Sequence, residues 1–176
     1  MRDLRLAAAL LIPILAIGAW ITRLNEVVQN GKLIHVAIRG YDPRDLLAGH
    51  YMQYQLDLGE IQPCTEARDE LACVCFTESR DSTQLSTPLW GGKCSHLPAD
   101  CPVSLSGHCQ GFGRFVSGIE RFYVPESLAP DVQILPTGAS VMARIDRNQR
   151  VVVDLLIDGM PLDIYVEASR KAQASK

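Results

Sequence analysis

The sequence predicts a mainly β fold, an antiparallel sheet or small barrel-like or sandwich domain. It adds one N-terminal transmembrane helix and a disulfide-rich insertion. Three observations lead there. Leu6–Thr22 is an uncharged, almost wholly apolar run between Arg5 and Arg23. Several later segments alternate apolar and polar residues, the pattern of half-buried strands. Six cysteines, Cys64, Cys73, Cys75, Cys94, Cys101 and Cys109, crowd the middle of the chain.

The N-terminus reads MRDLRLAAALLIPILAIGAWITRLNE. The run at 6–22 is long for a signal-peptide core and slightly short of the roughly 20 residues that span a bilayer comfortably. Arg5 and Arg23 can extend their charged heads to the two interfaces, and Trp20 suits the interfacial belt. Arg2 and Arg5 precede the run, so the positive-inside rule leaves residues 1–5 in the cytoplasm and exports the rest. Ala16-Ile17-Gly18 offers a small-x-small cleavage site, so a signal peptide remains the alternative to an anchor.

The helix is expected to continue to about residue 30 and stop at Asn30-Gly31. KLIHVAIR (32–39) fits a first strand, with His35 a strand-face side chain rather than a ligand. Asp42-Pro43 marks a turn, and Gly49 supplies a backbone conformation or close approach that larger residues resist. From 51 to 58 the chain alternates: Met52, Tyr54, Leu56 and Leu58 share one face, a half-buried strand.

A polar link leads to a strand at 71–77. Residues 78–111 read as a loop-rich insertion held by disulfides. Strand character returns around Phe115–Val124, and 125–136 has room for a short helix. Strands follow at Ser140–Ile145 and Val151–Ile157, then an Asp158-Gly159 hairpin turn into a strand at Pro161–Val166. The exported domain thus covers 31–167, with the insertion at 78–111 and a disordered polar tail at 168–176.

An even set of cysteines in an exported domain argues for disulfides, and the sequence leaves their connectivity open. On a strand, Cys73 and Cys75 point to one face and are poor partners for each other, so each bonds to Cys64 or to a later cysteine. The rival is a metal site, because Cys73, Cys75, Cys94, His96, His108 and Cys109 fall in close pairs. Their C-x-C and C-x-H spacings depart from the usual zinc knuckle. No C-x-x-C opens a helix, which disfavours a disulfide oxidoreductase.

Composition excludes other classes. The 176 residues are 47% hydrophobic with a net charge of −3, and no basic stripe or RNA-binding motif is present. Nucleic acid is not an expected partner. No GxSxG, HExxH, P-loop or dinucleotide fingerprint occurs. A signal-peptidase arrangement lacks its serine, since none lies between Met1 and Glu78. Asp42 and Asp45 beside Arg44 have the makings of an acid/base pair. The plainer role is a capped turn, with Arg44 paired to a carboxylate such as Glu126.

The ordered set Asn30-Gly31-Lys32, Asp42-Pro43-Arg44, Leu47, Gly49, Tyr51, then Tyr123-Val124-Pro125-Glu126 and Ala143–Gly159 resembles the bacterial membrane-anchored family named for its GDYXXLXY motif. His50 stands at the signature aspartate, Tyr54 at the leucine and Leu56 at the final tyrosine. A role needing a carboxylate at that corner therefore does not carry over.

The resemblance implies a single-pass protein of the bacterial inner membrane with a periplasmic β-domain, and it transfers no activity. The expected function is a non-enzymatic binding or accessory subunit of an envelope membrane complex. Its expected partners are integral membrane proteins and, through the anchor, the bilayer; no cofactor is expected. The alternative is a periplasmic metal-binding or thiol-redox protein using the Cys/His-rich insertion.

Overall fold

The computed structural model describes residues 2–40, 51–67, 70–81, 83–111, 113–131, 136–146, 149 and 151–174. Helix α1 spans Arg2–Asn30. Its Leu11–Asn30 portion is long and apolar enough to cross a membrane, and none of that portion is buried against the rest of the chain. Only Gly31 separates α1 from strand β1, Lys32–Gly40. The apolar helix therefore joins the folded domain with no flexible linker.

The described strands form two antiparallel sheets. The first contains β1, β2 (Tyr51–Leu56), β7 (Arg121–Tyr123), β8 (Ala139–Ile145), β9 (Val151–Ile157) and β10 (Met160–Pro161), in the order β10-β9-β8-β1-β2-β7. β1 is shared lengthwise: Lys32–Ala37 pair with β8, while Ile38–Gly40 pair with β2. Its Ile34, Val36 and Ile38 face the core, as do Val141, Ala143 and Ile145 of β8. On β2 Tyr54 is buried, with Met52 and Leu56 packed against the same core, as the alternation predicts. Asp158 (φ 50°) and Gly159 (φ 78°) make the tight turn before β10, a two-residue connection needing left-handed backbone at both positions.

The second sheet contains β3 (Ala72–Phe76), β4 (Pro88–Lys93), β5 (Val103–Gln110) and β6 (Arg114–Val116), in the order β4-β3-β5-β6. This corrects the loop-rich reading of 78–111, which holds two full strands. β5 reads VSLSGHCQ, and its small polar serines alternate with buried Val103, Leu105 and Gly107, so the strand shows weak hydrophobic contrast. A Cβ on Gly107 would lie 2.5 Å from the Val116 carbonyl oxygen, so the β5–β6 approach requires glycine there.

Both sheets share one core, in which Val74, Phe76, Val103 and Leu105 join the residues of β1, β8 and β9. Gln149, at φ 59°, closes the seam. Its Oε1 accepts from Ser106 N–H at 2.9 Å and its Nε2 donates to the Ser104 carbonyl at 3.2 Å. That carboxamide stands where the backbone of a neighbouring strand would sit along β5, which β6 covers only at 108–110.

Three further expectations are corrected. Phe115–Val124 is not one strand: β6 and β7 lie in different sheets, broken at Gly118 (φ 91°). Pro161–Val166 is a strand only at Pro161, and 168–176 is not a disordered tail over its described part. Helix α2 runs Leu162–Ala174. The residues LDIYV permit strand alternation, but Leu162, Tyr165 and Val166 pack on the core at helical spacing while Ile164 stays exposed. Arg170 then fastens α2 to the 127–131 segment, donating to Asp131 at 2.6 Å and to the Ser127 carbonyl at 2.7 Å.

His35 is a buried strand-face residue. Its Nε2 shares a 2.7 Å hydrogen bond with Ser140 Oγ, and its backbone holds Ser86 through two bonds. Among the described residues, its Nδ1 is buried without a hydrogen-bond partner. Burial lowers its pKa, outweighing the Gln84 carbonyl and the Asp81 carboxylate, which favour the charged ring.

As pH falls through about 6.5, the unfolded chain takes up this proton before the folded one, so acid favours unfolding. The loss continues until the lowered folded pKa is reached and is constant below it. Urea unfolding midpoints between neutral and mildly acid pH are expected to fall in the native chain and to fall less in His35→Asn. Parallel profiles would contradict this assignment.

Candidate interaction site on the motif strands

Asp42, Pro43, Arg44, Leu47, Gly49 and His50 lie outside the described residues, and with them the expected corner and the Arg44 side of the expected pair with Glu126. From Tyr51 onward the motif strand is described. β2 pairs with β7 so that Tyr51 sits opposite Tyr123. The two rings lie 6.2 Å apart, tilted by 58°, and the Arg121 guanidinium lies 5.5 Å from the Tyr51 ring centroid. These distances suit aromatic and cation–π contacts. Two sequence segments far apart in the chain thus meet at the outer strand of the first sheet.

Tyr123 is 71% exposed, whereas Val124 beside it is buried. Pro125 follows the strand, and its carbonyl accepts the Leu128 N–H at 2.9 Å. Glu126 is exposed. Tyr and Arg on a strand that is at the sheet edge among the described residues are features of binding surfaces.

Behind this surface is a polar clamp that sequence reasoning missed. The Tyr54 hydroxyl donates to the Ile119 carbonyl. The buried Glu120 carboxylate accepts from Ser117 N–H (2.6 Å), Ser117 Oγ (2.8 Å) and Gly118 N–H (2.7 Å). Burial raises the pKa of Tyr54 well above the ordinary phenol range, and the negative charge of Glu120 adds to the effect. Glu120 is thus occupied in forming the 117–120 turn that separates β6 from β7. The sequence signal was an acid two residues after a Ser-Gly pair, which is common at turns.

The cysteines pair as Cys64–Cys109, Cys73–Cys94 and Cys75–Cys101. As expected from their shared strand face, Cys73 and Cys75 do not bond to each other, and of the open choices each takes a later cysteine rather than Cys64. Both lie on the face of β3 opposite Val74 and Phe76, so two bridges cover the side of that strand which the core does not. With these bonds formed, His96 and His108 have no thiolate beside them to complete a metal site.

A model of the GDYXXLXY protein family matches residues 13–156, from within α1 to near the end of β9. The chain belongs to the GDYXXLXY family. No curated protein and no solved structure matches it. In this GDYXXLXY protein the leucine and final tyrosine of the motif are exchanged, as Tyr54 and Leu56. Both positions face the core on one side of β2, so that face keeps one phenol and one aliphatic side chain. The phenol stands at Tyr54, where its hydroxyl donates to the Ile119 carbonyl. Helix α2 lies beyond the matched region.

Proposed function

We propose that this protein is a non-enzymatic binding or accessory subunit of an envelope membrane complex. It is held by α1 in the bacterial inner membrane with its β-domain in the periplasm, and its partner is an integral membrane protein. The observation that carries the reading is the use of the motif residues. Tyr51, Tyr123 and Arg121 form an aromatic and cationic outer face on an edge strand, while Tyr54 and Glu120 brace it from behind. The single-residue junction between α1 and β1 supports it further, because a domain so joined stays close to the bilayer.

A photoreactive residue in place of Tyr123, introduced in native cells, tests the reading. The expected product is a discrete adduct with an integral membrane protein, weakened by Arg121→Ala. Absence of any adduct at Tyr123, with the chain correctly inserted, would contradict it.

A further inference from the structure

β7 is the outermost strand of the first sheet among the described residues. Its pairing with β2 fixes what its outer edge offers. Tyr54 N–H donates to the Glu120 carbonyl at 3.1 Å, which makes these two opposed residues a hydrogen-bonded pair. Such pairs alternate along an antiparallel ladder, so the next one is Met52 with Phe122. The backbone N–H and C=O of Arg121 and Tyr123 therefore point away from β2, toward the outer edge. Their side chains share one face and are both exposed, while Phe122 packs against the core on the other.

Arg121 is the charged group of this edge. Among the described residues its guanidinium meets the Tyr51 ring and no carboxylate. The carboxylate nearest in sequence, Glu120, is buried and takes its hydrogen bonds from Ser117 and Gly118. A cation–π contact uses none of the guanidinium N–H donors, and a carboxylate accepts two of them side by side.

We propose that β7 takes an extended, acidic segment of the partner as an added strand, with an Asp or Glu opposite Arg121. Strand addition supplies main-chain hydrogen bonds, and alternate side chains supply the choice of partner. Residues on one face of a strand recur at a period of two. The segment therefore carries an apolar or aromatic residue opposite Tyr123, about two positions from the acid. A second copy of this chain fits less well, because β7 against β7 brings two arginines and no carboxylate. The proposal rests on the binding-subunit reading for the existence of a partner and adds the partner's chemistry.

The test uses the full chain in native cells, with the photoreactive residue at position 123 and the linked segment located by mass spectrometry of the digested adduct. The expected segment belongs to an integral membrane protein and holds an Asp or Glu about two positions from the linked residue. Arg121→Glu is expected to lower the adduct yield about tenfold or more, and Arg121→Lys by less than about threefold. Asn or Gln in place of the partner's acid is expected to act as Arg121→Ala does. Urea midpoints of the Arg121 variants report whether the fold is intact. The composition of the linked segment is read without any Arg121 variant, so it tests the proposal even where those variants unfold.

A linked segment without an acid, or an undiminished yield from folded Arg121→Glu, would overturn the acidic strand and leave the binding-subunit reading standing. A link between two copies, or no link at all, would remove both.

Discussion

Reduction of the disulfides is expected to unfold the second sheet and destabilise the whole domain. The bridges close separations of 45, 21 and 26 residues, and chain-entropy arguments give each about 3–4 kcal/mol. A small domain is stable by only about 5–15 kcal/mol in total. Together the bridges are therefore comparable with the whole net stability of such a domain. The packing explains the dependence: β4 carries two glycines, β5 carries serines on its outer positions, and Cys73 and Cys75 occupy the face of β3 where a second apolar layer would lie.

Denaturant unfolding with and without reductant is expected to show a large fall in midpoint. Removal of single bridges as alanine pairs should rank Cys64–Cys109 above Cys75–Cys101 by roughly 0.5 kcal/mol if loop entropy dominates. The reverse order would mean that native packing around Cys75, which is buried beside Val74 and Phe76, outweighs it. A reduced chain as stable as the oxidised one would contradict the assigned role of the bridges altogether.

The second large effect belongs to Tyr54. Tyr54→Phe leaves the Ile119 carbonyl without its hydroxyl donor inside the protein, at a cost of about 1–3 kcal/mol. Tyr54→Leu adds lost volume in the shared core and should cost more. Leu56→Tyr alone places a larger group against the core and is also expected to destabilise.

If the motif's leucine and tyrosine have been exchanged as a unit, the double variant Tyr54→Leu/Leu56→Tyr recovers stability relative to the sum of the singles. The recovery should be on the order of 1 kcal/mol, within the range for coupled neighbours. A double-mutant cycle from urea unfolding measures it. Strict additivity would mean that the two positions changed independently.

How much of this was legible depends on where the specifying interactions lie. β1, β2, β8 and β9 bury one face with branched and aromatic residues, so alternation found them within a residue or two. In the second sheet β3 was found at 71–77, but β4 and β5 hid because glycine and serine occupy positions where apolar residues usually signal a strand. The break between β6 and β7 was missed because it depends on Glu120 folding back onto Ser117 and Gly118, a contact that strand alternation does not report.

α2 was mistaken because Leu162, Ile164 and Val166 satisfy a period of two, while the burial of Tyr165 decides for a helix. Tyr51 and the Tyr123 segment were visible as motifs. Their juxtaposition was not, because it arises from β2–β7 pairing across a long separation.

Three bridges cross-link the cysteine-bearing sheet, and on the proposed function that sheet is a scaffold rather than a thiol or metal centre. The most direct test is the intact mass of the full chain taken from its native envelope, alkylated without reduction, beside an elemental metal scan. The account predicts no alkyl groups, a mass lower than the fully reduced chain by two hydrogens for each of the three bridges, and no bound metal. Alkylated cysteines with stoichiometric zinc or copper would contradict it and make the Cys/His-rich segment the functional site.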